Sequence, residues 1–343
     1  MAFELLTSQQ ARDILGMAKL TGTPVVTLVK RTNHVYRLEC GAESFFLKLY
    51  TKDWYGEPAS TGFCVDHEAS AWRTLTAHGL AAPEVMLAAQ DSDNPLQRPF
   101  LLTRALPGKP LTDLLHQADP VQFRELLEKV GEYLRRMHSI RFPFSGYITS
   151  AGLDAPPAPD QWQHFIWTFT QFKQEARRVW KEDQAIVPVA LGQRIEAFFA
   201  QHAPRLEAIY QIPRFTHGDC HAHQFFLYRV NDSWKVSGLV DMEVASAGDT
   251  GADWVKMVLE LAGTFFSATG WWNSLFTGYG EELDFELLKL RLLAAGHINY
   301  TCLGKRSWPG TRAQILAHVL EASNWGELFD TARIVRSVPS RKL

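Results

Sequence analysis

The sequence predicts an α+β protein with a β-rich first part and a mostly helical second part. Short β-rich runs separated by turn residues lie between residues 24 and 105. Farther along the chain, apolar residues recur at three- and four-residue spacing, as they do on one face of a helix. One hairpin pattern interrupts the helical part, because two apolar runs flank the turn residues Asn231, Asp232 and Ser233.

The composition is that of a soluble globular protein. The chain has 343 residues, of which 46% are hydrophobic and 21% charged, with a net charge of −2. This size suffices for one large or two moderate domains, and the charge gives no reason to expect nucleic acid or an anionic membrane surface as a partner. Residues 1–22 lack a signal-peptide pattern, no membrane span is predicted, and the four dispersed cysteines favour a cytoplasmic protein.

The first predicted elements are a helix and an antiparallel meander. Thr7 and Gln10 form the pattern of a capping box for a helix from Ser8 to about Lys19. Three strands are predicted next, and two later strands complete the small sheet. The five strands are Pro24 to Val29, Val35 to Cys40, Ser44 to Tyr50, Val85 to Ala89 and Pro99 to Ala105.

Lys48 lies among apolar residues in the third of these strands, where a lysine must either reach solvent or meet a charged partner. Glu68 is a candidate partner. It belongs to a predicted helix with Asp66 as N-cap, and it shares a face with residues that pack inward, where an unpaired carboxylate is costly. We therefore predict that Lys48 and Glu68 form an ion pair. The alternative is a surface lysine and a glutamate stabilised by the start of the helix.

The second part of the chain reads as a series of helices. Asp119 and Pro120 are predicted to begin a long helix with an apolar stripe, and His138 near its end is interpreted as a structural hydrogen bonder. Asp160 is predicted to cap a helix with an aromatic stripe, after a connection rich in Pro, Gly and Ser. Asp253 is predicted to cap a helix from Trp254 to Ala262.

Two aspartates beside the hairpin are the candidate catalytic residues. Asp219 precedes the first strand and Asp241 follows the second, so strand pairing brings both carboxylates to one small space. One carboxylate can accept a proton from a hydroxyl while the other holds a divalent metal, as phosphoryl transfer requires. The alternative is that Asp219 caps a turn and Asp241 ends a strand.

The stretch from His217 to Trp254 resembles the catalytic core of the aminoglycoside phosphotransferase and choline kinase family, which is related to the protein kinases. The family pattern is close to H-G-D-x-H-x-x-N, an apolar hairpin, I-D-W/F-E and G-D-P-x-x-D. Gln224 stands where the family has a metal-binding asparagine, and kinases of lipopolysaccharide core sugars, also similar here, lack that asparagine too. Nine positions match at the family's spacing: His217, Gly218, Asp219, His221, Asp241, Glu243, Gly248, Asp249 and Asp253.

This resemblance extends from Thr27 to about Tyr279 and implies a two-lobed protein-kinase-like fold. An N-terminal nucleotide-binding lobe with a small antiparallel sheet would occupy residues 1–104. Residues 105–108 would form a hinge, and residues 109–343 a helical C-terminal lobe with the catalytic hairpin and the acceptor site. The implied activity is transfer of the γ-phosphoryl group of ATP to a hydroxyl of a small molecule.

The resemblance also implies roles for the candidate catalytic residues. Asp219 would act as the base, and Asp241 would bind Mg²⁺ with Gln224 as a second metal contact. Lys48 would contact the nucleotide phosphates, and Glu68 would orient Lys48.

Two further positions are implied to bind the nucleotide. Leu106 lies in the implied hinge, whose backbone would bond the adenine edge. Asn33 lies in the first turn of the meander, which would cover the phosphates although it contains no glycine. Backbone N–H groups, Lys30 or Arg31 would then hold the phosphate, and the alternative is a solvated basic turn.

Alternatives accompany both the activity and the acceptor. Gln224 and the glycine-free turn also fit a nucleotide-binding pseudokinase that serves as a regulatory or scaffold module. Proteins resembling this one phosphorylate aminoglycosides, choline-like amines, sugars and amino-acid alcohols, and the fold does not choose among them. Carboxylates after the catalytic aspartates either attract a cationic acceptor or form a solvated acidic face. They are Glu243, Asp249, Glu260, Glu281 and Glu282.

Overall fold

The first part of the chain forms a five-stranded antiparallel sheet, as its pattern of short strands predicts. In this computed structural model the described residues are 6–30, 34–50, 64–90, 93–153, 187–209, 212–265, 270–302 and 311–336. The strands begin and end within one residue of the predicted bounds. They are β1 (Val25–Lys30), β2 (Val35–Cys40), β3 (Glu43–Leu49), β4 (Val85–Ala89) and β5 (Phe100–Arg104), in the order β1-β2-β3-β5-β4.

Helix α1 (Ser8–Met17) packs on this sheet and begins at the predicted capping box of Thr7 and Gln10. It ends two residues earlier than predicted, because Lys19 has a left-handed backbone with φ of 58° and cannot continue the helix. Alternate residues of β3 pack into the core that α1 shares with the sheet. The residues between them, Phe46 and Lys48, line a cavity instead.

Helix α2 (Val65–Ala77) begins two residues before the predicted start. Cys64 rather than Asp66 has the extended backbone of the N-cap, and its sulfur accepts a hydrogen bond from the N–H of His67. The predicted N-cap Asp66 is therefore wrong. Its carboxylate instead accepts a hydrogen bond from the N–H of Ser150, at 2.9 Å, in the second part of the chain.

The second part is mostly helical and contains two further sheets. Strands β6, β10 and β11 form one sheet, and β8, β7, β12 and β9 form the other. The strands are β6 (Lys109–Pro110), β7 (Gly146–Thr149), β8 (Gly152–Leu153), β9 (Arg214–Thr216), β10 (Phe225–Val230), β11 (Ser233–Leu239) and β12 (Ser246–Gly248). The helices are α3 (Leu111–Gln117), α4 (Pro120–His138), α5 (Val189–Ile209), α6 (Gly251–Thr264), α7 (Trp271–Tyr279), α8 (Phe285–Cys302), α9 (Arg312–Glu321), α10 (Trp325–Phe329) and α11 (Ala332–Arg336).

Helix α4 begins as predicted, with the Asp119 carboxylate accepting hydrogen bonds from the N–H groups of Val121 and Gln122. It packs against α7 through two glycines. A Cβ atom on Gly131 would lie 2.2 Å from the carbonyl oxygen of Leu275, and one on Gly278 would lie 1.9 Å from that of Glu128. The two helix backbones therefore approach closely, and only residues without a side chain fit between them.

The hairpin of β10 and β11 forms as predicted, with Val230 opposite Ser233. Its turn residues Asn231 and Asp232 have φ values of 46° and 61°, the left-handed conformation that a two-residue hairpin turn requires. Trp72 of α2 joins this hairpin to the first part of the chain, because its indole N–H donates a hydrogen bond to the carbonyl oxygen of Leu239 at 3.0 Å. The two lobes thus meet beside the hairpin.

Some sequence predictions fall where the structure gives no description. The helix predicted after Asp160 lies outside the described residues, as does Asn33. The boundaries proposed for the lobes and hinge stay a prediction. Among the described residues, no helix has both the length and the apolar character needed to cross a bilayer.

Candidate active site

A cavity of about 420 Å³ lies between the five-stranded sheet and the hairpin. This is the size of many small-molecule sites. Strand β3 contributes Lys48, and the segment that follows β5 contributes Leu106. The hairpin and the loop before it contribute Asp219, Gln224 and Asp241. The structure therefore brings most of the predicted site residues to one cavity.

Lys48 is held by three carboxylates in this cavity. Its ammonium group donates to Glu68 at 2.7 Å and to Asp241 at 3.3 Å, and it also pairs with Glu243. The Lys48 side chain is 11% exposed and that of Glu68 only 1%, so water contributes little to their solvation. Tyr50 donates a further hydrogen bond to the same oxygen of Glu68. The predicted contact between Lys48 and Glu68 is present, and Glu243 is an additional partner.

Opposite charges in this cluster favour the charged forms of Lys48 and Asp241. Burial disfavours the Lys48 ammonium group, but Glu68, Asp241 and Glu243 outweigh burial and raise the pKa of Lys48 above its usual value. Burial also disfavours the Asp241 carboxylate, but Lys48 and the nearby Lys30 lower the pKa of Asp241 well below its usual range. Both groups are therefore charged at neutral pH.

Asp241 occupies a strained backbone position immediately after the hairpin. Its φ is 67°, in the left-handed region that residues with a side chain rarely adopt. The preceding residue, Val240, fixes this position. The Val240 N–H donates to the carbonyl oxygen of Gln224 at 3.0 Å, and the Val240 carbonyl oxygen lies 2.8 Å from Nε2 of His217.

His217 joins the two predicted catalytic aspartates through its imidazole ring. Nε2 lies against the carbonyl oxygen of Val240, so it carries the hydrogen and donates. Nδ1 is then an acceptor, and it receives the N–H of Asp219 at 3.2 Å. The loop that presents Asp219 is thereby connected to the strand end that presents Asp241.

Asp253 does not cap a helix, contrary to prediction. Helix α6 begins at Gly251, three residues before the predicted start, and the buried Asp253 carboxylate turns back to the loop before the hairpin. It accepts hydrogen bonds from the N–H groups of His217 at 2.8 Å and Gly218 at 2.7 Å. His138 lies 3.1 Å from the same carboxylate, in agreement with its predicted role as a structural hydrogen bonder.

Asp219 forms an ion pair with Lys256 of helix α6. Their side chains are 30% and 23% exposed, and Asp219 lines the cavity. Sequence reasoning missed Lys256. The signal was present in the spacing, because Asp253, Lys256 and Glu260 recur three and four residues apart and so share one face of α6.

The carboxylates expected on the acceptor side are mostly engaged inside the protein. Asp249 accepts two hydrogen bonds from Arg291, at 2.7 and 2.8 Å, another contact that the sequence did not reveal. Glu243 pairs with Lys48, and Glu260 contacts the loop before the hairpin. These three are therefore neither a solvated acidic face nor free to attract a cation, whereas Glu281 and Glu282 are exposed.

Comparison with known proteins identifies the class. The fold is that of a kinase-like phosphotransferase. A family model described as the phosphotransferase enzyme family matches residues 28–293, most of the chain, and the chain belongs to that family. The comparison with curated proteins gives no significant match.

Solved structures of aminoglycoside phosphotransferases share the fold, which confirms the predicted two-lobed α+β architecture. A putative aminoglycoside phosphotransferase from Ralstonia eutropha JMP134 is 12% identical, with 96% of this chain and 94% of that chain covered and a TM-score of 0.59. The streptomycin–ATP–APH(2″)-IIa ternary complex is also 12% identical, with 98% of both chains covered and a TM-score of 0.53. A thermostable mutant of APH(4)-Ia in complex with ADP and hygromycin B is 12% identical, with coverages of 96% and 98% and a TM-score of 0.54.

Proposed function

We propose that this phosphotransferase transfers the γ-phosphoryl group of ATP to a hydroxyl of a small molecule. The observation that carries the proposal is the cavity in which Asp219 and Asp241 lie with Lys48, itself held by the buried Glu68. Similar folds have been solved with ATP and streptomycin and with ADP and hygromycin B, which supports a nucleotide and a hydroxylated acceptor.

Asp219 is the proposed catalytic base. It lines the cavity and is fixed from two sides, by the His217 ring at its N–H and by Lys256 at its carboxylate. A carboxylate held in this way can accept the hydroxyl proton as the acceptor oxygen attacks phosphorus. Lys256 would stay beside Asp219 and compensate its negative charge until the proton arrives.

Lys48, Asp241 and Gln224 are proposed to bind the phosphates and Mg²⁺. Asp241 and Gln224 both line the cavity, and carboxylate and amide oxygens are ligands that Mg²⁺ accepts. Lys48 and Lys30, which lie 3.3 Å and 3.6 Å from Asp241, are placed to bind phosphate oxygens beside that metal. Bound Mg²⁺ would neutralise phosphate charge, while Lys48 would position the phosphates.

The adenine is proposed to lie near Leu106. Apolar side chains from β3 and β5, Phe46 and Leu101, line the same cavity. They can pack on the faces of a purine, while backbone groups of residues 105–108 bond its edge. This arrangement leaves the acceptor at the opposite end of the cavity, beside Asp219.

A phosphoryl-transfer screen tests the proposal. The protein, ATP and Mg²⁺ are incubated with a panel of aminoglycosides, choline-like amines, sugars and amino-acid alcohols, and product mass is measured. We expect at least one acceptor to gain one phosphate with the wild-type protein and none with Asp219→Asn.

The second candidate is a nucleotide-binding pseudokinase. It is favoured by Gln224 at the position of the family's asparagine and by the engagement of Asp219 with Lys256. Calorimetry with ATP and Mg²⁺ beside an ATP-hydrolysis assay separates the two candidates. Binding without any hydrolysis or acceptor phosphorylation would favour the pseudokinase, whereas turnover would reject it.

A further inference from the structure

Helix α6 contacts the loop of residues 217–224 with three charged residues from one face. Asp253 binds the start of the loop, at the N–H groups of residues 217 and 218. Lys256 binds the Asp219 side chain. Glu260 binds the end of the loop, next to Gln224. Of the three, Asp253 belongs to the family pattern, so Lys256 and Glu260 are features of this chain that the pattern does not explain.

Glu260 reaches the end of the loop through both of its carboxylate oxygens. Its side chain is 9% exposed, and one oxygen accepts the N–H of Ala222 at 2.6 Å. The same oxygen lies 3.5 Å from Nδ1 of His221, and the other lies 3.0 Å from Nε2 of His223. A carboxylate can only accept hydrogen bonds, so each ring nitrogen that faces Glu260 must carry a hydrogen.

This requirement sets the hydrogen position on His221. With the hydrogen on Nδ1 toward Glu260, the neutral ring has a bare Nε2 that can only accept. The amide nitrogen of Gln224 lies 3.1 Å from this Nε2 and donates to it. The side-chain nitrogen of Gln224 is therefore occupied by His221. The side-chain oxygen of Gln224 is left to face the cavity, which Gln224 lines.

We propose that Glu260 is a positioning residue that acts through His221 to hold Gln224 with its carbonyl oxygen available to the metal–nucleotide complex. The proposal rests on the proposed function and deepens it. Magnesium and manganese bind amide oxygen and not amide nitrogen, so the orientation of the amide decides whether Gln224 can contribute at all. A glutamine also has one more rotatable bond than the asparagine of the family, and ordering it costs more side-chain entropy. An orienting partner is therefore more important here.

Glu260→Ala is the informative substitution. It removes the acceptor that faces Nδ1 of His221, so the ring hydrogen is free to move to Nε2. The Gln224 amide would then turn to present its oxygen to His221 and its nitrogen to the cavity. Loss of an orienting partner of this kind lowers metal affinity by roughly 10-fold to 100-fold in known metal sites.

The experiment is a calorimetric titration of Mn²⁺ into the protein saturated with a non-hydrolysable ATP analogue. We expect Glu260→Ala and His221→Phe to weaken Mn²⁺ binding by about tenfold or more, while affinity for the metal-free analogue is unchanged. His223→Phe is the matched control, because His223 contacts the Glu260 oxygen that does not face His221. It should bind Mn²⁺ as the wild type does. If Glu260→Ala fails to fold in a thermal-unfolding scan, His221→Phe provides the test.

A double-mutant cycle with Gln224→Ala decides whether the effect passes through Gln224. In the Gln224→Ala background, Glu260→Ala should weaken Mn²⁺ binding no further. Additive losses of affinity would overturn this inference. The same holds if the wild type and both single variants bind Mn²⁺ with equal affinity. Either result leaves the proposed function intact. A wild-type protein that binds no metal–nucleotide complex would overturn both.

Discussion

At the scale of single residues, the site depends on charges that are buried together. Lys48 is surrounded by the carboxylates of Glu68, Asp241 and Glu243, and these three carboxylates together favour its charged form. The proposed catalytic aspartate, Asp219, is different, since its side chain is partly exposed and pairs with Lys256. Substitutions at these two places should therefore have different effects on stability and on turnover.

Asp219→Asn should lower turnover by a factor on the order of 10² to 10⁴, the usual effect of removing a positioned proton acceptor. Folding and ATP affinity should change little, because the amide keeps the shape of a partly exposed side chain. Steady-state kinetics on an acceptor from the screen would measure this. Asp232→Asn is the matched control, because Asp232 lies in the hairpin turn with its side chain 96% exposed. Full activity of Asp219→Asn would remove Asp219 from the mechanism.

Lys48→Ala should raise the KM for ATP and also destabilise the protein. Removing one partner of a buried ion pair costs about 3 to 5 kcal/mol, because the carboxylates left behind are uncompensated. Glu68→Ala should give a similar but smaller increase in KM. Chemical denaturation and ATP kinetics should show strong coupling in a double-mutant cycle, and simple additivity would refute the pair. Lys235→Ala, at an exposed lysine of β11, is the control.

His67 should make stability depend on pH. Burial lowers the pKa of His67 from 6.5 to about 4, so the unfolded chain takes up a proton below pH 6.5 while the folded protein does not. The contribution of His67 to the free energy of unfolding is fully present above pH 6.5. It falls by about 3 kcal/mol in total as the pH falls toward 4. Urea denaturation between pH 7 and 4 would measure the loss. His67→Phe should show a smaller pH dependence than the wild type, and an identical dependence would contradict the assignment.

At the scale of elements, three helices determine how the second lobe is built. Helix α6 holds the loop before the hairpin with its charged face, so the position of Asp219 depends on the packing of that helix. Helices α4 and α7 cross at Gly131 and Gly278, where the backbones are in close contact. Helix α7 in turn contacts α6, through Tyr279 and Phe276 against Trp254.

Gly278→Ala should destabilise the protein by about 1 to 3 kcal/mol, the usual cost of overpacking. The added methyl group would lie 1.9 Å from the carbonyl oxygen of Glu128, a backbone atom that cannot move alone. Gly16→Ala in α1 is the matched control, because nothing lies within 4 Å of its added Cβ. Thermal unfolding should show a lower Tm for Gly278→Ala and an unchanged or higher Tm for Gly16→Ala. If Gly278→Ala and Gly16→Ala had the same Tm, helices α4 and α7 would have to lie farther apart than the distances above indicate.

At the scale of the whole molecule, the cavity belongs to both lobes. The sheet supplies Lys48, and the hairpin lobe supplies Asp219 and Asp241. The lobes are joined by the hydrogen bond from Trp72 to Leu239 and by one from the Tyr133 hydroxyl to the carbonyl oxygen of Ala81, at 2.7 Å. A ligand in this cavity contacts both lobes and therefore stabilises the folded state as a whole.

ATP with Mg²⁺ should raise the Tm, because binding to the folded state alone contributes about 2.7 kcal/mol at a ligand concentration 100 times Kd. Chelating the metal with EDTA should remove most of the increase. Lys48→Ala should show a smaller increase than the wild type at the same ATP concentration. A wild-type Tm that does not change with ATP and Mg²⁺ at millimolar concentration would contradict nucleotide binding in this cavity.

The sequence by itself determined the local elements and the candidate residues. Short β-rich runs separated by turn residues predicted the five strands to within one residue at each boundary, and the hairpin turn was apparent at Asn231 and Asp232. The spacing of Asp219 and Asp241 around that hairpin, with its family resemblance, indicated the cavity, the family and the fold. The burial of Glu68 indicated its partner Lys48. These inferences succeeded because periodicity and turn chemistry act over a few neighbouring residues.

Only the tertiary structure decided which distant side chains meet. Asp253 has the sequence position of a helix cap, but it binds the N–H groups of His217 and Gly218 because the loop folds back over α6. Lys256 meets Asp219 for the same reason. Asp249 finds its partner Arg291 more than forty residues farther along the chain. No local pattern specifies such contacts, since they depend on how whole elements pack. Packing brings the charged face of α6 against the loop that carries Asp219.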